Sequence, residues 1–208
     1  MDNVLVTIKK IFFTMIIVPS MLLMSCSTHV VVISDHPPAL IEKLPYKIGL
    51  VLDSAFTDYS FTREKDDEKI IISLGESQSE LFDQIFSSMF QKLSIFSTKP
   101  LSSEMLSDLY VSVTVEDLQL SLPYETSVNV FEIWIQYKLQ ISDSQHSNIC
   151  GWTISSYGRT QTRFLESQEK ALNQATNAAL RDAGVQIATR FSQVPEVQEY
   201  LEKKGYKK

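Results

Sequence analysis

Hydrophobic residues recur at every second position along much of the chain, which is the period of a β-strand with one face in a core. Six segments show this alternation: 46–53, 56–63, 69–74, 109–122, 130–141 and 149–157. A short charged sequence separates the second segment from the third, which predicts a hairpin. Polar turns separate the last three, which predicts an antiparallel meander. The alternation changes phase after Glu116 and Asp117, and an inserted residue that exchanges the two faces predicts a β-bulge there.

Two other segments have the three-and-four spacing of amphipathic helices. Ser77 opens the first with a capping box, and the apolar stripe after it predicts a helix that ends near Phe96. Ser167 caps the second, which continues through Phe191 with a face of small alanine residues. The order of elements predicts the α+β class: a mostly antiparallel β-sheet with two amphipathic helices packed on one face, plus an N-terminal signal helix. A short last helix is predicted to begin at Pro195.

The N-terminus has the pattern of a secretory signal peptide. Two lysines precede an apolar run, residues 11–24, which is shorter than the ~17–25 residues that a membrane-spanning helix needs. The run ends in Leu23-Met24-Ser25-Cys26, which resembles the lipobox of bacterial lipoproteins. The resemblance implies that the chain is cut before this cysteine and that the cysteine is then acylated. The alternative is a buried cysteine at the end of a core helix.

The same resemblance implies where the protein resides. Several buried acyl chains anchor a protein stably in a bilayer, whereas one does so only marginally, and lipoproteins of this kind carry three. The residue after the cysteine, Ser27, is not the Asp that retains lipoproteins in the inner membrane of enteric-type bacteria. The resemblance therefore implies the outer membrane, with the protein facing the periplasm.

These features divide the chain into four parts. Residues 1–25 are the predicted lipoprotein signal peptide, and residues 26–44 are a lipidated tether in which a pair of prolines favours an extended chain. In an alternative interpretation, the apolar run Val30–Ile33 pairs as an edge strand. Residues 45–192 form the α+β periplasmic domain, and residues 193–208 form a short helix with a basic tail.

The C-terminal part of the chain is similar to the YajG-type family of bacterial lipoproteins. The shared pattern is a strand that ends in Gly158, an Ala-rich helix that includes Ala171 and Ala175, and a short end helix at residues 197–201. The order of elements also resembles the N-terminal domain of TolB and the periplasmic part of the curli-secretion lipoprotein. The YajG-type family carries no well-defined catalytic residues, so the resemblance implies an envelope lipoprotein and assigns no active site.

Composition excludes several classes of function. The formal net charge of -6 has the wrong sign for a dedicated nucleic-acid binder. Two cysteines are too few for a disulfide framework or a four-cysteine zinc site, and Cys150 is predicted to be a small buried hydrophobe. A Ser-His-Asp hydrolase would have to use His146, which lies in a polar turn. We therefore expect no metal, no cofactor and no enzymatic activity, with a hydrolase as the remote alternative.

Two tryptophans are the candidate binding residues. Trp134 lies on the more polar face of its strand, and Trp152 belongs to the neighbouring strand. An exposed aromatic pair would bind a partner or a glycan; in the alternative, helices cover that face and both residues are core.

The leading functional hypothesis is a non-enzymatic, membrane-anchored interaction, assembly or accessory module of the cell envelope, with an envelope protein as its partner. The alternative is a binding module for lipid or another apolar ligand. That alternative is suggested by the 11 Phe and 8 Tyr residues.

Overall fold

The computed structural model describes residues 26–33, 41–100, 107–161 and 167–205. The predicted signal peptide, the proline pair and the last three residues of the basic tail lie outside these ranges. Within them the strands are β1 (Cys26–Val31), β2 (Leu44–Val51), β3 (Ser60–Lys65), β4 (Glu68–Ser73), β5 (Phe90–Phe96), β6 (Leu109–Ser121), β7 (Val130–Asp143) and β8 (Asn148–Gln161). The helices are α1 (Ser54–Thr57), α2 (Gly75–Met89), α3 (Gln168–Arg190) and α4 (Pro195–Lys203). No helix in the described ranges has the length and apolar composition to cross a membrane.

The larger sheet has five strands in the order β5-β2-β6-β7-β8. Strands β6, β7 and β8 form the predicted antiparallel meander, whereas β2 pairs in parallel with both β5 and β6. The register between β6 and β7 shifts between Val115 and Asp117, so Glu116 is the extra residue of the predicted bulge. Because the bulge exchanges the faces, Val113 before it and Leu118 after it are both buried on the same side of the sheet.

The smaller sheet has three strands in the order β1-β4-β3. Strands β3 and β4 are the predicted hairpin, and they join through Asp66 (φ 50°) and Asp67 (φ 65°). Both residues have the left-handed conformation that a two-residue hairpin turn requires, and Asp tolerates it better than most residues. The charged sequence was therefore correctly predicted as a turn.

Strand β1 corrects the prediction of a tether for the residues that follow the lipobox. Cys26 lies opposite Glu68 and the pairing continues in parallel to Val31 opposite Ser73. Val30 has no exposed surface, because alternate residues of β1 enter the core. The alternative interpretation, an edge strand, describes this segment, although the pairing begins earlier than the apolar run predicted.

Helix α2 begins before the predicted cap and ends before the predicted end. Its N-cap is Leu74, and Ser77 lies inside the helix, where its buried hydroxyl donates a hydrogen bond to the carbonyl of Val32. After Met89 the chain enters β5, which pairs with β2. The prediction of a helix to Phe96 was wrong because the three-and-four spacing continues past Met89. The backbone partners that the edge of β2 offers are invisible in that spacing.

Helix α3 follows the prediction. The Ser167 hydroxyl accepts a hydrogen bond of 3.3 Å from the backbone N–H of Lys170, and the helix ends at Arg190. Its alanine face packs on β8, where Gly158 leaves room for the helix backbone. Helix α2 packs on the same face of the larger sheet, with the Phe82 ring 5.3 Å from that of Tyr137. The α+β class with helices on one face of a sheet is thus confirmed, and the strands divide into two sheets.

Aromatic rings fill the space between the larger sheet and the helices. The fully buried rings that contact one another here are Phe56, Phe82, Phe86, Phe90, Phe191 and Tyr137. The Tyr137 hydroxyl donates to Gln78 Oε1 at 3.1 Å, and Gln78 Nε2 donates to the Phe56 carbonyl at 2.6 Å. These bonds satisfy the polar atoms of two side chains in the middle of the core.

Candidate functional site

The meander has two chemically different faces. One face packs against α2 and α3, and the other is polar; we call the second the open face. It consists of Thr114, Asp117, Gln119, Glu132, Trp134, Gln136, Lys138, Thr153, Ser155, Tyr157 and Arg159, which alternate with core residues and pair across the strands. All of these side chains are exposed or half-buried. An antiparallel sheet commonly has this division, with one solvated face.

Trp134 forms an aromatic pair on the open face, and its partner is Tyr157. The two residues lie directly opposite each other on β7 and β8, and their ring centroids are 5.1 Å apart. The Tyr157 hydroxyl donates to Glu132 Oε1 at 2.6 Å, and this hydrogen bond, more than burial, raises the pKa of Tyr157. The carboxylate of Glu132, two residues before Trp134 on β7, therefore holds the Tyr157 ring in place.

The backbone of the same strand is fixed from the helix side. The backbone N–H of Tyr157 donates to Asp182 Oδ2 at 3.0 Å, and the Ser155 carbonyl accepts from Gln186 Nε2 at 2.9 Å. Both partners are on α3, so the helix caps polar groups on the edge strand β8. Such capping protects this part of the edge from pairing with another chain.

A shallow hollow of about 330 Å³ lies beside Trp134 on the open face. Asp117, Gln119, Gln136 and Ser155 contribute polar side chains to its lining. The bulge at Glu116 adjoins this hollow, because the next residue, Asp117, is part of its lining. Carboxylate, amide and hydroxyl groups beside an indole suit a partner that both stacks and forms hydrogen bonds.

Trp152 is not part of this surface. It lies opposite Leu139 on the face that packs against the helices, where it is half-buried and its ring centroid is 6.2 Å from that of Phe191. The predicted aromatic pair of Trp134 and Trp152 is therefore wrong as a pair, because the residues are on opposite faces. The turn between β7 and β8 sets the register that separates the two tryptophans. In this register Trp134 is opposite Tyr157, so even-numbered residues of β7 share a face with odd-numbered residues of β8, and Trp152 is on the other face.

The third predicted site residue, Cys26, is the first residue of β1, and its backbone pairs with that of Glu68. The lipobox residues before it lie outside the described ranges. Cys150, predicted as a small buried hydrophobe, is a free and buried cysteine, and burial raises the pKa of its thiol.

A cluster of charged residues ties the hairpin to the loop between β6 and β7. Glu125 in this loop accepts from Arg63 Nη1 at 2.9 Å and from Lys65 Nζ at 2.8 Å. The hydrogen bond from Arg63, followed by that from Lys65, lowers the pKa of Glu125 to about 2. Nearby, Glu68 accepts from the Tyr124 hydroxyl at 2.9 Å and from Gln168 Nε2 at 2.7 Å. These contacts join the smaller sheet, the loop and the start of α3.

His146, the residue considered for catalysis, packs beside an aromatic ring. The ring of His146 lies 4.7 Å from that of Tyr110. In the described part of the chain, no group of three His, Cys, Asp or Glu side chains is placed to hold a metal ion.

Neither the protein-family models nor the curated proteins give a match to this chain. Among solved structures, the chain is similar to a protein from Xanthomonas campestris of the DUF330 family, at 7% identity and a TM-score of 0.56, over 83% of this chain and 97% of that one. A minor lipoprotein from Acinetobacter baumannii matches at 12% identity and a TM-score of 0.47, over 73% of this chain and 94% of that one. A hypothetical protein from Chlamydia trachomatis matches at 12% identity and a TM-score of 0.43, over 76% and 98%. The first similarity shows that this fold occurs in another bacterial protein.

Proposed function

We propose that this chain is a lipid-anchored, non-enzymatic lipoprotein of the bacterial cell envelope that binds a protein partner through its open face. The observation that carries the proposal is the Trp134–Tyr157 pair beside a polar hollow on an otherwise solvated sheet face. Tryptophan and tyrosine are the residues that most often dominate binding energy at interfaces. The anchor is the acylated Cys26 that the lipobox implies, at the periplasmic side of the outer membrane. The protein would act there as an accessory or assembly subunit, in keeping with its resemblance to YajG-type lipoproteins.

The charge pattern of the open face favours a protein as the partner. Asp117 and Glu132 are interspersed with Lys138 and Arg159. Mixed charges give complementarity to a specific surface, whereas a nucleic acid requires a mainly basic one. Lys138 also contacts Glu116 at 3.3 Å, so part of the charge is already balanced within the sheet.

The Phe and Tyr residues whose number suggested an apolar ligand serve instead to fill the core. Six of the Phe and Tyr rings contact one another between the larger sheet and the helices and are fully buried. Lipid carriage would need an apolar cavity of roughly 300 Å³ or more, and five of the seven residues that line the hollow of comparable volume on the open face are polar. The open face therefore supports protein binding better than lipid carriage.

The test is site-specific photo-crosslinking of the full-length lipoprotein in the native bacterium. A photoreactive residue at Gln119 or Gln136 places the probe on the open face, and the same residue at the exposed Gln198 of α4 is the matched control. We expect one protein to crosslink from the first two positions and not from the third. Equal crosslinking from all three positions, or none from the open face, contradicts the proposed binding surface.

The anchor has its own test. Cys26→Ser removes the acylation site, so we expect the protein to move from the membrane fraction to the soluble periplasmic fraction. Retention in the outer membrane would show that another anchor exists.

A further inference from the structure

The first residue of β1 lies at one end of the molecule, together with two connecting segments. Cys26 pairs with Glu68, which is the first residue after the hairpin turn at residues 66–67. The Tyr124 hydroxyl donates to the carboxylate of the same Glu68 at 2.9 Å, so the loop between β6 and β7, residues 122–129, is at this end too. We call the hairpin turn and this loop, with Cys26 beside them, the anchor end.

Strand β1 is fixed to the domain along its length. Beyond its pairing with β4, the carbonyl of Val31 accepts from Asn173 Nδ2 at 3.1 Å, and that of Ile33 accepts from Asn177 Nδ2 at 3.0 Å. Val30 is fully buried against the core. Acyl chains on Cys26 would therefore be attached to the folded domain with no free residue between them.

One loop at the anchor end exposes two large hydrophobic side chains. Tyr124 is 65% exposed and Val128 is 63% exposed, and both are in the loop of residues 122–129. Tyrosine favours the membrane–water interface, because its ring is apolar and its hydroxyl is polar. The cations Arg63 and Lys65 balance the charge of the neighbouring Glu125 carboxylate, and two neutral donors solvate that of Glu68.

We propose that the anchor end lies on the surface of a zwitterionic bilayer, with Tyr124 and Val128 in the interface and the strands of the meander directed away from it. This inference rests on the proposed acylation of Cys26. The lysines beside the hairpin turn, Lys65 and Lys69, are paired with Glu125 and Glu64. The exposed turn residues Asp66 and Asp67 therefore leave the turn acidic, and because an anionic surface would repel them, the occupant is a zwitterionic one.

The proposed orientation determines the height of the open face above the membrane. Trp134 is four residues along β7 from Val130, which is at the anchor end. At about 3.3 Å per residue this separation is roughly 13 Å. The partner of the open face would therefore be a protein that itself lies close to the membrane, because the hollow beside Trp134 faces sideways just above the headgroups.

The test uses the full-length acylated protein in vesicles of phosphatidylcholine and phosphatidylethanolamine. Val128→Cys carries an environment-sensitive fluorophore at the anchor end, and Gln145→Cys carries it in the turn at the opposite end of β7. Both positions are exposed, so the label should not disturb the fold, and the native Cys150 is buried. We expect a blue-shifted emission at position 128 and at least threefold stronger quenching there by nitroxide-labelled lipid than at position 145.

Flotation of the same vesicles tests the membrane anchoring separately from the orientation. If the protein floats with the vesicles and both labels report water, the anchor is present and the proposed orientation is wrong. If the acylated protein does not float, the membrane anchoring fails and the orientation fails with it. Equal quenching at both positions would also overturn the orientation, since only one end of the domain is proposed to touch the bilayer.

Discussion

Gly158 on β8 lies against the backbone of α3, so that a Cβ atom at this position would overlap the carbonyl oxygen of Ala175. It would also overlap the backbone nitrogen of Ala179 one turn later. Alanines line the helix face that meets the strand, and each of these two is fully buried. The glycine and the alanines together set the distance between the helix and the larger sheet.

We expect Gly158→Ala to destabilise the protein by about 3 kcal/mol, the upper end of the usual range for overpacking, because backbone atoms cannot rotate away from the added methyl group. Urea unfolding of the purified protein measures this change. Gly151→Ala is the matched control, since it adds the same methyl group to the same strand where the nearest atom is Gln140 Oε1 at 3.4 Å. We expect the control to change the free energy of unfolding by less than about 0.5 kcal/mol; equal effects of the two variants would contradict the close packing.

Two adjacent valines of β1 should differ in how much their truncation destabilises the protein. Val30 is fully buried and Val31 is 49% exposed. We expect Val30→Ala to lower the free energy of unfolding by about 2 kcal/mol, because the variant leaves unfilled space in the core, and Val31→Ala to lower it by less than about 0.5 kcal/mol. Urea unfolding again measures both. If residues 26–31 were a free tether, both substitutions would be neutral. That result would show that β1 does not pack on the domain.

The sequence predicts the meander, the bulge, the hairpin and α3, because each has a local signal. Alternation gives the strands, its change of phase after Glu116 gives the bulge, and Ser167 gives the start of the helix. The segments it misassigns depend on distant partners. The segment after Met89 becomes β5 because β2 offers it a sheet edge, and residues 26–31 become β1 because β4 does the same.

The candidate site was predictable only in part for the same reason. The polarity of the strand face identifies Trp134 as accessible, because the period of a strand is visible in the sequence. The partner of this residue depends on the register across the turn between β7 and β8, which aligns it with Tyr157 and places Trp152 on the other face. A turn shifted by one residue would have placed Trp152 on the open face and Tyr157 against the helices.

The Glu125 cluster predicts a pH dependence of stability. The pKa of Glu125 is lowered from 4.5 to about 2 by Arg63 and Lys65, so the folded state favours the ionised carboxylate. Its stabilising contribution is present above pH 4.5 and is lost as the pH falls towards 2. We expect Glu125→Gln to cost up to about 1 kcal/mol at pH 7, since solvent screens a pair of this kind, and almost nothing at pH 2.

Unfolding by urea at pH 7, 4, 3 and 2 measures this prediction. Glu64→Gln is the control because it removes an exposed carboxylate from the same hairpin, one that contacts only Lys69 at 2.5 Å among the ion pairs described. A cost for Glu125→Gln that stays constant from pH 7 to pH 2 would show that the carboxylate is not the stabilising group.

The two tryptophans predict separate losses of binding and of stability. Trp134→Ala removes the ring beside the hollow on the open face, so we expect at least a tenfold loss of affinity for the crosslinked partner, with a stability cost under about 1 kcal/mol for one cross-strand aromatic pair. Trp152→Ala removes a ring that packs on Phe191, so we expect a stability cost of about 1–3 kcal/mol and unchanged affinity below the unfolding transition.

Calorimetry of partner binding and urea unfolding, applied to both variants, measure these two quantities independently. Tyr157→Phe adds a finer comparison, because it keeps the ring beside Trp134 and removes only the hydrogen bond to Glu132. We expect it to retain most of the affinity. If Trp152→Ala weakens binding as much as Trp134→Ala while both proteins remain folded, the partner contacts the helix-facing side of the sheet and the open face is not its binding surface.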